Sequence, residues 1–384
     1  MSENTMRDGI IQRGRTWSYV VRERDPQTGK TKPRWVGGFP TRAAAKRARD
    51  EARHSVNRGT YVAPQNLTVS QWLDRWVEAH SVELKPSTAK SYRDNIARYL
   101  KPTIGHERVQ SLSPARLSIV FRDLHEKGGA GGRPLSARTV EFARAVLRRA
   151  MADAVIERVV EVNPVVGSKA PRRVSKPRHT TWTGEQVAEF LEQLDSEGDR
   201  WSTVWVLALA TGMRRGELLA VRWQDLDLDG GVVHVERSVT QLREKLVYGT
   251  PKNHERRDVA LDARTVAALR AWRVQHAQER LAWGQAYAGD GELVFVREDG
   301  SPVMPNYISR AWVQSIPSTL PRIVLHEARH SHATILLRAG VPVHVVAKRL
   351  GHRDPSVTLN VYADVIPQDD GRAVDTFVKA VWGA

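Results

Sequence analysis

The 384-residue chain contains no cysteine. That absence removes disulfides, Cys-ligated zinc, iron–sulfur clusters and thiol nucleophiles together, so any covalent nucleophile must be oxygen or nitrogen. Long apolar runs are missing as well. The longest, around Val204 to Ala210, falls far short of the roughly 18 residues needed to span a bilayer. The first residues, Met1 to Gly9, are polar and lack the apolar stretch of a secretory signal. A protein of a reducing cytoplasm is expected, and neither end carries a basic amphipathic helix suited to a membrane surface.

Acids are the next scarcity. Lys and Arg number 59 against 43 Asp and Glu, a formal charge of +16, which is a standing attraction for polyanions. Disorder is not expected to dominate, because 41% of the residues are hydrophobic and 12 are Trp. The length exceeds what one core usually organises, so two or three domains are expected.

The charge is unevenly placed. Residues 1–62 hold about half of it, on two β-rich runs, Trp17 to Arg22 and Arg34 to Phe39, and a helix capped by Thr41. Residues 66–165 read as a helical domain. Thr68 and Gln71 make a capping box, and Val69, Trp72, Leu73 and Trp76 share one face. A second helix starts at Ser87 and is expected to end by Pro102, a third is capped by Ser113-Pro114, and a fourth begins near Ser136. Arg144 and Arg148 of the fourth are expected on a basic outer face that meets DNA. Residues 166–180 form a proline-rich linker with Arg172, Arg173, Lys176 and Arg178 and no acid. The bland reading is a solvated tether and the sharper one a strap along phosphates. Residues 181–384 read as mainly helical, with strands over 232–236 and 257–261 and a long helix from Asp262 to about Trp283.

Four local features of this last region carry chemistry. Thr211-Gly-Met-Arg214 opens a helix that places Arg214 and Glu217 three apart, and a guanidinium so held can fork onto phosphate oxygens. Lys252 follows Thr250-Pro251, where an ammonium can serve as a point charge or proton donor. His326-Glu-Ala-Arg-His330 satisfies the zinc-protease pattern, but Arg329 would set a permanent charge beside the metal and no Glu follows Ser331. The competing reading pairs His326 with Arg329 on one anion. Leu350-Gly-His352 is followed by Asp354-Pro355, opening a short helix that carries Tyr362.

Arg214, Lys252, His326, Arg329, His352 and Tyr362 in this order resemble the signature of the tyrosine recombinases, specifically phage-type integrases. Glu327-Ala328 stands where Asp-Leu is common in that family, and Tyr362 stands ten positions after His352 rather than nine. Neither departure changes a reacting group.

The resemblance implies a multidomain, mainly α fold with small β elements: an arm-type DNA-binding domain, a helical core-binding domain and a mixed, mostly α catalytic domain. It implies that Tyr362 attacks the scissile phosphate to give a 3′-phosphotyrosyl bond and a free 5′-hydroxyl, without metal, ATP or cofactor. His326 would be the acid/base, Lys252 the donor to the departing 5′-oxygen, His352 a partner of the phosphate, and Glu217 a support for an Arg or a His. The implied partners are double-stranded DNA at core and arm sites, three further copies in a tetramer, a DNA-bending host factor and an excision factor. The tail from Val374 to Trp382 would dock on a neighbour, and the protein would work on the nucleoid of a bacterial host. A type IB topoisomerase would use the same side chains, although the separate basic amino-terminal module favours an integrase. A DNA-binding regulator with an inactive catalytic fold is disfavoured because all six reacting positions are filled.

Overall fold

The side chains of Thr41, Thr68, Ser113, Ser136, Thr183 and Asp262 each cap the helix that follows. In the computed structural model, which describes residues 9–24, 31–58, 61–172, 180–251, 256–362 and 378–383, the chain divides into two units, residues 1–176 and 177–384.

The first unit begins with an antiparallel sheet of β1 (Ile10–Arg13), β2 (Thr16–Arg24) and β3 (Thr31–Phe39) in that order. The short β1 was not foreseen in the sequence, because four residues with one buried side chain carry almost no alternation. Helix α1 (Arg42–Asn57) starts where the Thr41 hydroxyl accepts from the Ala44 N–H. A small core of Ile10, Tyr19, Val21, Ala45 and Ala52 joins it to one face of the sheet. On the other face Val20 pairs with Trp35, an exposed ring over which Arg13 stacks at 4.8 Å.

A second core in this unit is built from α2 (Val69–His80), α3 (Pro86–Asn95), α4 (Lys101–Ile104), α5 (Pro114–Lys127) and α6 (Ala137–Ile156). The Thr68–Gln71 capping box forms, and Trp72, Leu73 and Trp76 are buried together. The helix expected to end by Pro102 does not. It runs on as a π-turn, Ile96–Leu100, directly into α4. Pro102 has no N–H for the Arg98 carbonyl, and the ladder absorbs this by widening, with the Lys101 N–H reaching the Ile96 carbonyl.

The second unit packs α7 (Gly184–Glu197), α8 (Ser202–Thr211), α9 (Arg215–Leu218), α10 (Ala263–Trp283), α11 (Pro305–Ser315) and α12 (Leu325–Arg338) around an aromatic centre of Trp182, Phe190, Trp205 and Trp312. A three-stranded antiparallel sheet runs β4 (Leu226–Asp227), β5 (Val232–Val235), then β8 (Arg257–Ala260). Strands β6 (Ser238–Leu242) and β7 (Lys245–Gly249) form a separate hairpin, which the sequence reading passed over. A smaller apolar cluster of Ala333, Leu337, Val346 and Leu350 joins α12 to α13 (Val343–Leu350), and α14 (Pro355–Tyr362) follows.

Candidate active site

The site begins with two helix ends. Helices α8 and α13 both stop at a glycine in the left-handed region, Gly212 at φ 63° and Gly351 at φ 66°. A helix end leaves its last carbonyls without intrahelical donors and gathers partial negative charge, so it favours cationic donors.

Both ends receive them. At α8, the carbonyls of Leu209, Ala210 and Gly212 accept from His332 Nδ1 at 2.8 Å, Arg349 Nη2 at 2.8 Å and Arg329 Nη1 at 2.7 Å. At α13, the carbonyls of Arg349, Leu350 and Gly351 accept from Arg257 Nε at 2.8 Å, Arg329 Nη2 at 2.7 Å and Arg214 Nη2 at 3.2 Å. The glycines are needed for closeness as well as for φ: a Cβ on Gly212 would lie 2.8 Å from His332 Cδ2, and one on Gly351 would lie 2.8 Å from Arg257 Nη1.

Arg214 stands at the N-cap of α9. Its backbone N–H donates to Glu217 Oε2 and its Nη1 to Glu217 Oε1, both at 2.9 Å. Glu217 is fully buried and also takes both terminal nitrogens of Arg257, at 3.3 and 2.7 Å. Burial alone would raise its pKa. The hydrogen bond and charge of Arg257, with the charge of Arg214 and its backbone N–H, outweigh burial and hold the carboxyl below its ordinary range. Arg257 was not singled out in the sequence, because a strand arginine gives no local sign that a glutamate 40 positions earlier will meet it.

His352 follows the α13 glycine. Its Nε2 lies 2.9 Å from Arg329 Nη2, and its Nδ1 lies 2.7 Å from the hydroxyl of the buried Thr358 on α14. A guanidinium has only donors, so Nε2 must accept and the neutral ring carries its proton on Nδ1. Burial, then the charges of Arg329, Arg214 and Arg257, with His326 nearby, push this imidazole down to about 4. His352 therefore orients Arg329 as the structure stands.

Tyr362 is the last residue of α14, about one helical turn beyond Thr358. His326 lies exposed in the first turn of α12, its ring edge-on to His330 with centroids 5.0 Å apart. Arg329, expected to face an anion beside it, is 4% exposed and turned to the two helix ends. Glu327, which the zinc-protease pattern requires as a base, accepts from the Val324 N–H at the start of α12. The zinc-protease alternative is not favoured. Beside His352 a groove of about 650 Å³ is lined by basic side chains including Arg256, His344, Lys348 and Arg353.

The remaining sequence candidates are dispersed. Lys252, Arg173, Lys176 and Arg178 lie outside the described residues, as does the first part of the tail, while residues 378–382 are helical with Val381 and Trp382 exposed. Arg172 is exposed. In the first unit, Arg148 is exposed. Arg144 is tied to Ser168 through Nε and Nη2 and to Glu141 through Nη1, which occupies the fork expected to meet DNA.

This arrangement of paired arginines and a histidine, with a tyrosine ending the next helix, is accompanied by a fold shared with integrases whose structures are known in complex with DNA. The Tn1549 transposon integrase in complex with a circular intermediate DNA matches with a TM-score of 0.66 at 20% identity, covering 82% of this chain and all of that one. The lambda integrase tetramer bound to a Holliday junction matches at 0.58 and 17% identity, over 95% of this chain and 99% of that one. In sequence, a tyrosine recombinase XerC-like protein of Caldanaerobacter subterraneus subsp. tengcongensis is 25% identical across 88% of this chain and 89% of its own length. The ICEBs1 integrase of Bacillus subtilis is 24% identical across 77% and 78%.

The catalytic class is thus that of the tyrosine recombinases. Residues 181–369 match the phage integrase family and residues 68–118 match its N-terminal SAM-like domain; the chain belongs to the phage integrase family.

Proposed function

We propose that this chain recombines DNA at specific sites, integrating or excising a mobile element by cutting and rejoining strands through Tyr362. The observation that carries the assignment of roles is the anchoring of Arg214 and Arg329 by two helix ends, beside His352, whose Nδ1 meets Thr358 on the helix that ends at Tyr362.

In the forward step the Tyr362 hydroxyl oxygen bonds to phosphorus, the P–O5′ bond breaks, and the 5′-oxygen leaves as a hydroxyl. The tyrosine proton must be accepted, since a free phenol has a pKa near 10, and His326 serves as that acid/base. Lys252 supplies the proton to the 5′-oxygen. Arg214 and Arg329 neutralise the charge that builds on the non-bridging oxygens, where fixed donors need no reorganisation. The free 5′-hydroxyl of a partner strand then attacks the phosphotyrosine and releases Tyr362, so the phosphodiester energy is conserved and no ATP is consumed.

Domain roles follow from charge. The catalytic region of residues 181–384 and the helical region of residues 66–165 hold the core site, and the basic linker of residues 166–180 follows phosphates. The sheet of residues 1–62, with Trp35 and its neighbouring arginines exposed, holds the arm site. Four copies act on two duplexes, aided by a bending protein and, for excision, by a further factor. Binding then weakens with salt at about −0.9 in log K per log salt for each phosphate neutralised.

The test is a nicked DNA site that traps the covalent product. The native chain gives a protein–DNA adduct and Tyr362→Phe gives none; an adduct that persists in the variant removes Tyr362 from its role.

A further inference from the structure

Two side chains close to the site have no part in this chemistry yet sit at its mechanical centre. His332 is 8% exposed. Its Nδ1 faces the Leu209 carbonyl and its Nε2 faces Arg349 Nε at 3.1 Å. A carbonyl only accepts and a guanidinium only donates, so the ring is held in one neutral tautomer from both sides. Arg349 completes the arrangement: Nη2 donates to the Ala210 carbonyl at 2.8 Å and to the Ala260 carbonyl of β8 at 3.1 Å.

The consequence is a closed loop of bonds. Arg349 belongs to the last turn of α13, whose final carbonyls hold Arg257, Arg329 and Arg214. Its side chain reaches back to α8, whose end carries the turn into Arg214. It also ties in β8, which begins with Arg257, and, through His332, α12, which carries Arg329. One fork therefore joins α13 to α8, β8 and α12, the elements that carry or lead into Arg214, Arg257 and Arg329. Lysine could not replace it, since a single ammonium lacks a planar fork to serve acceptors in three directions.

We propose that Arg349, fixed by neutral His332, is a positioning residue that sets the spacing of Arg214 and Arg329 for the scissile phosphate. This rests on the reading of those two arginines as the groups that neutralise the phosphate. A misplacement of about 1 Å remote from the reacting atoms costs on the order of 10²-fold in rate, whereas the contacts that bind the rest of the duplex are untouched.

The experiment measures the rate of adduct formation at saturating nicked DNA with two scissile groups, the natural phosphate and a methylphosphonate in which one charged oxygen is replaced by methyl. Arg349→Lys should lose about 10²-fold on the phosphate, bind DNA with native affinity, and recover most of the loss on the methylphosphonate, where no charge awaits the arginine pair. An equal loss on both substrates means that Arg349 only stabilises the fold, and a native rate on the phosphate means that it positions nothing; either overturns the proposal. Should Arg349→Lys not fold, His332→Phe, which keeps a planar aromatic ring and deletes the acceptor for Arg349 together with the donor to Leu209, is read with the same two substrates. Failure of the underlying reading looks different, because the native chain would then form no adduct on the phosphate or Tyr362→Phe would still form one.

Discussion

Glu217 is the group whose loss the structure makes most measurable. It is an acidic side chain without solvent contact, held between the arginines at 214 and 257, and Arg257 is itself only 5% exposed at the side chain. Replacing it by Gln keeps the shape but removes the charge and turns one acceptor into a donor that faces donors. Removing one partner of a buried ion pair costs about 3–5 kcal/mol, because the other charge is left uncompensated. The retained amide oxygen places Glu217→Gln near the lower end, about 3 kcal/mol. For a unit of this size that is a fall of roughly 6–12 °C in Tm, read by far-ultraviolet circular dichroism of the full chain at pH 7. The deficit should persist in 0.5 M salt, roughly the regime in which exposed pairs are screened. Adding Arg257→Met should return part of it, since deleting both partners costs less than stranding one. A Glu217→Gln chain that melts within a degree or so of native would refute the claim that this triad holds the site together.

Two further outcomes follow from the same geometry. Burial first, then the charge of Arg349, lowers the His332 pKa from 6.5 to about 4, the carbonyl of Leu209 opposing and Arg329 reinforcing the shift. Its folded pKa is below its unfolded one, so its stabilisation is complete above pH 6.5, declines as pH falls, and is gone below pH 4. The stability difference between the native chain and His332→Phe, measured in urea, should shrink by about 3 kcal/mol between pH 7 and pH 4; a constant difference contradicts a ring held neutral by its surroundings. Gly351→Ala forces a Cβ into the left-handed region and against Arg257 Nη1, costing at least about 1–2 kcal/mol. A melt unchanged from native would show that the α13 end is not as tight as its hydrogen bonds imply.

What the chain order fixes by itself is local. Thr68, Ser113, Ser136, Thr183 and Asp262 each cap the helix that follows, because a short side chain reaches an N–H two or three residues on without help from elsewhere. The order of Arg214, Lys252, His326, Arg329, His352 and Tyr362 is legible for a related reason, since each belongs to a short local motif. The β6–β7 hairpin and the π-turn before Pro102 escape such reading: the first depends on pairing between weakly alternating strands, the second on helix packing strong enough to carry the chain past a missing donor. Tertiary structure alone decided that Arg329 meets the carbonyl of Gly212, 117 residues away, and that Arg349 meets Ala210, 139 residues away. Those bonds exist because two helices end at left-handed glycines with their carbonyls open to arginines of neighbouring elements, and a helix end cannot choose its distant donors until the core has brought them there.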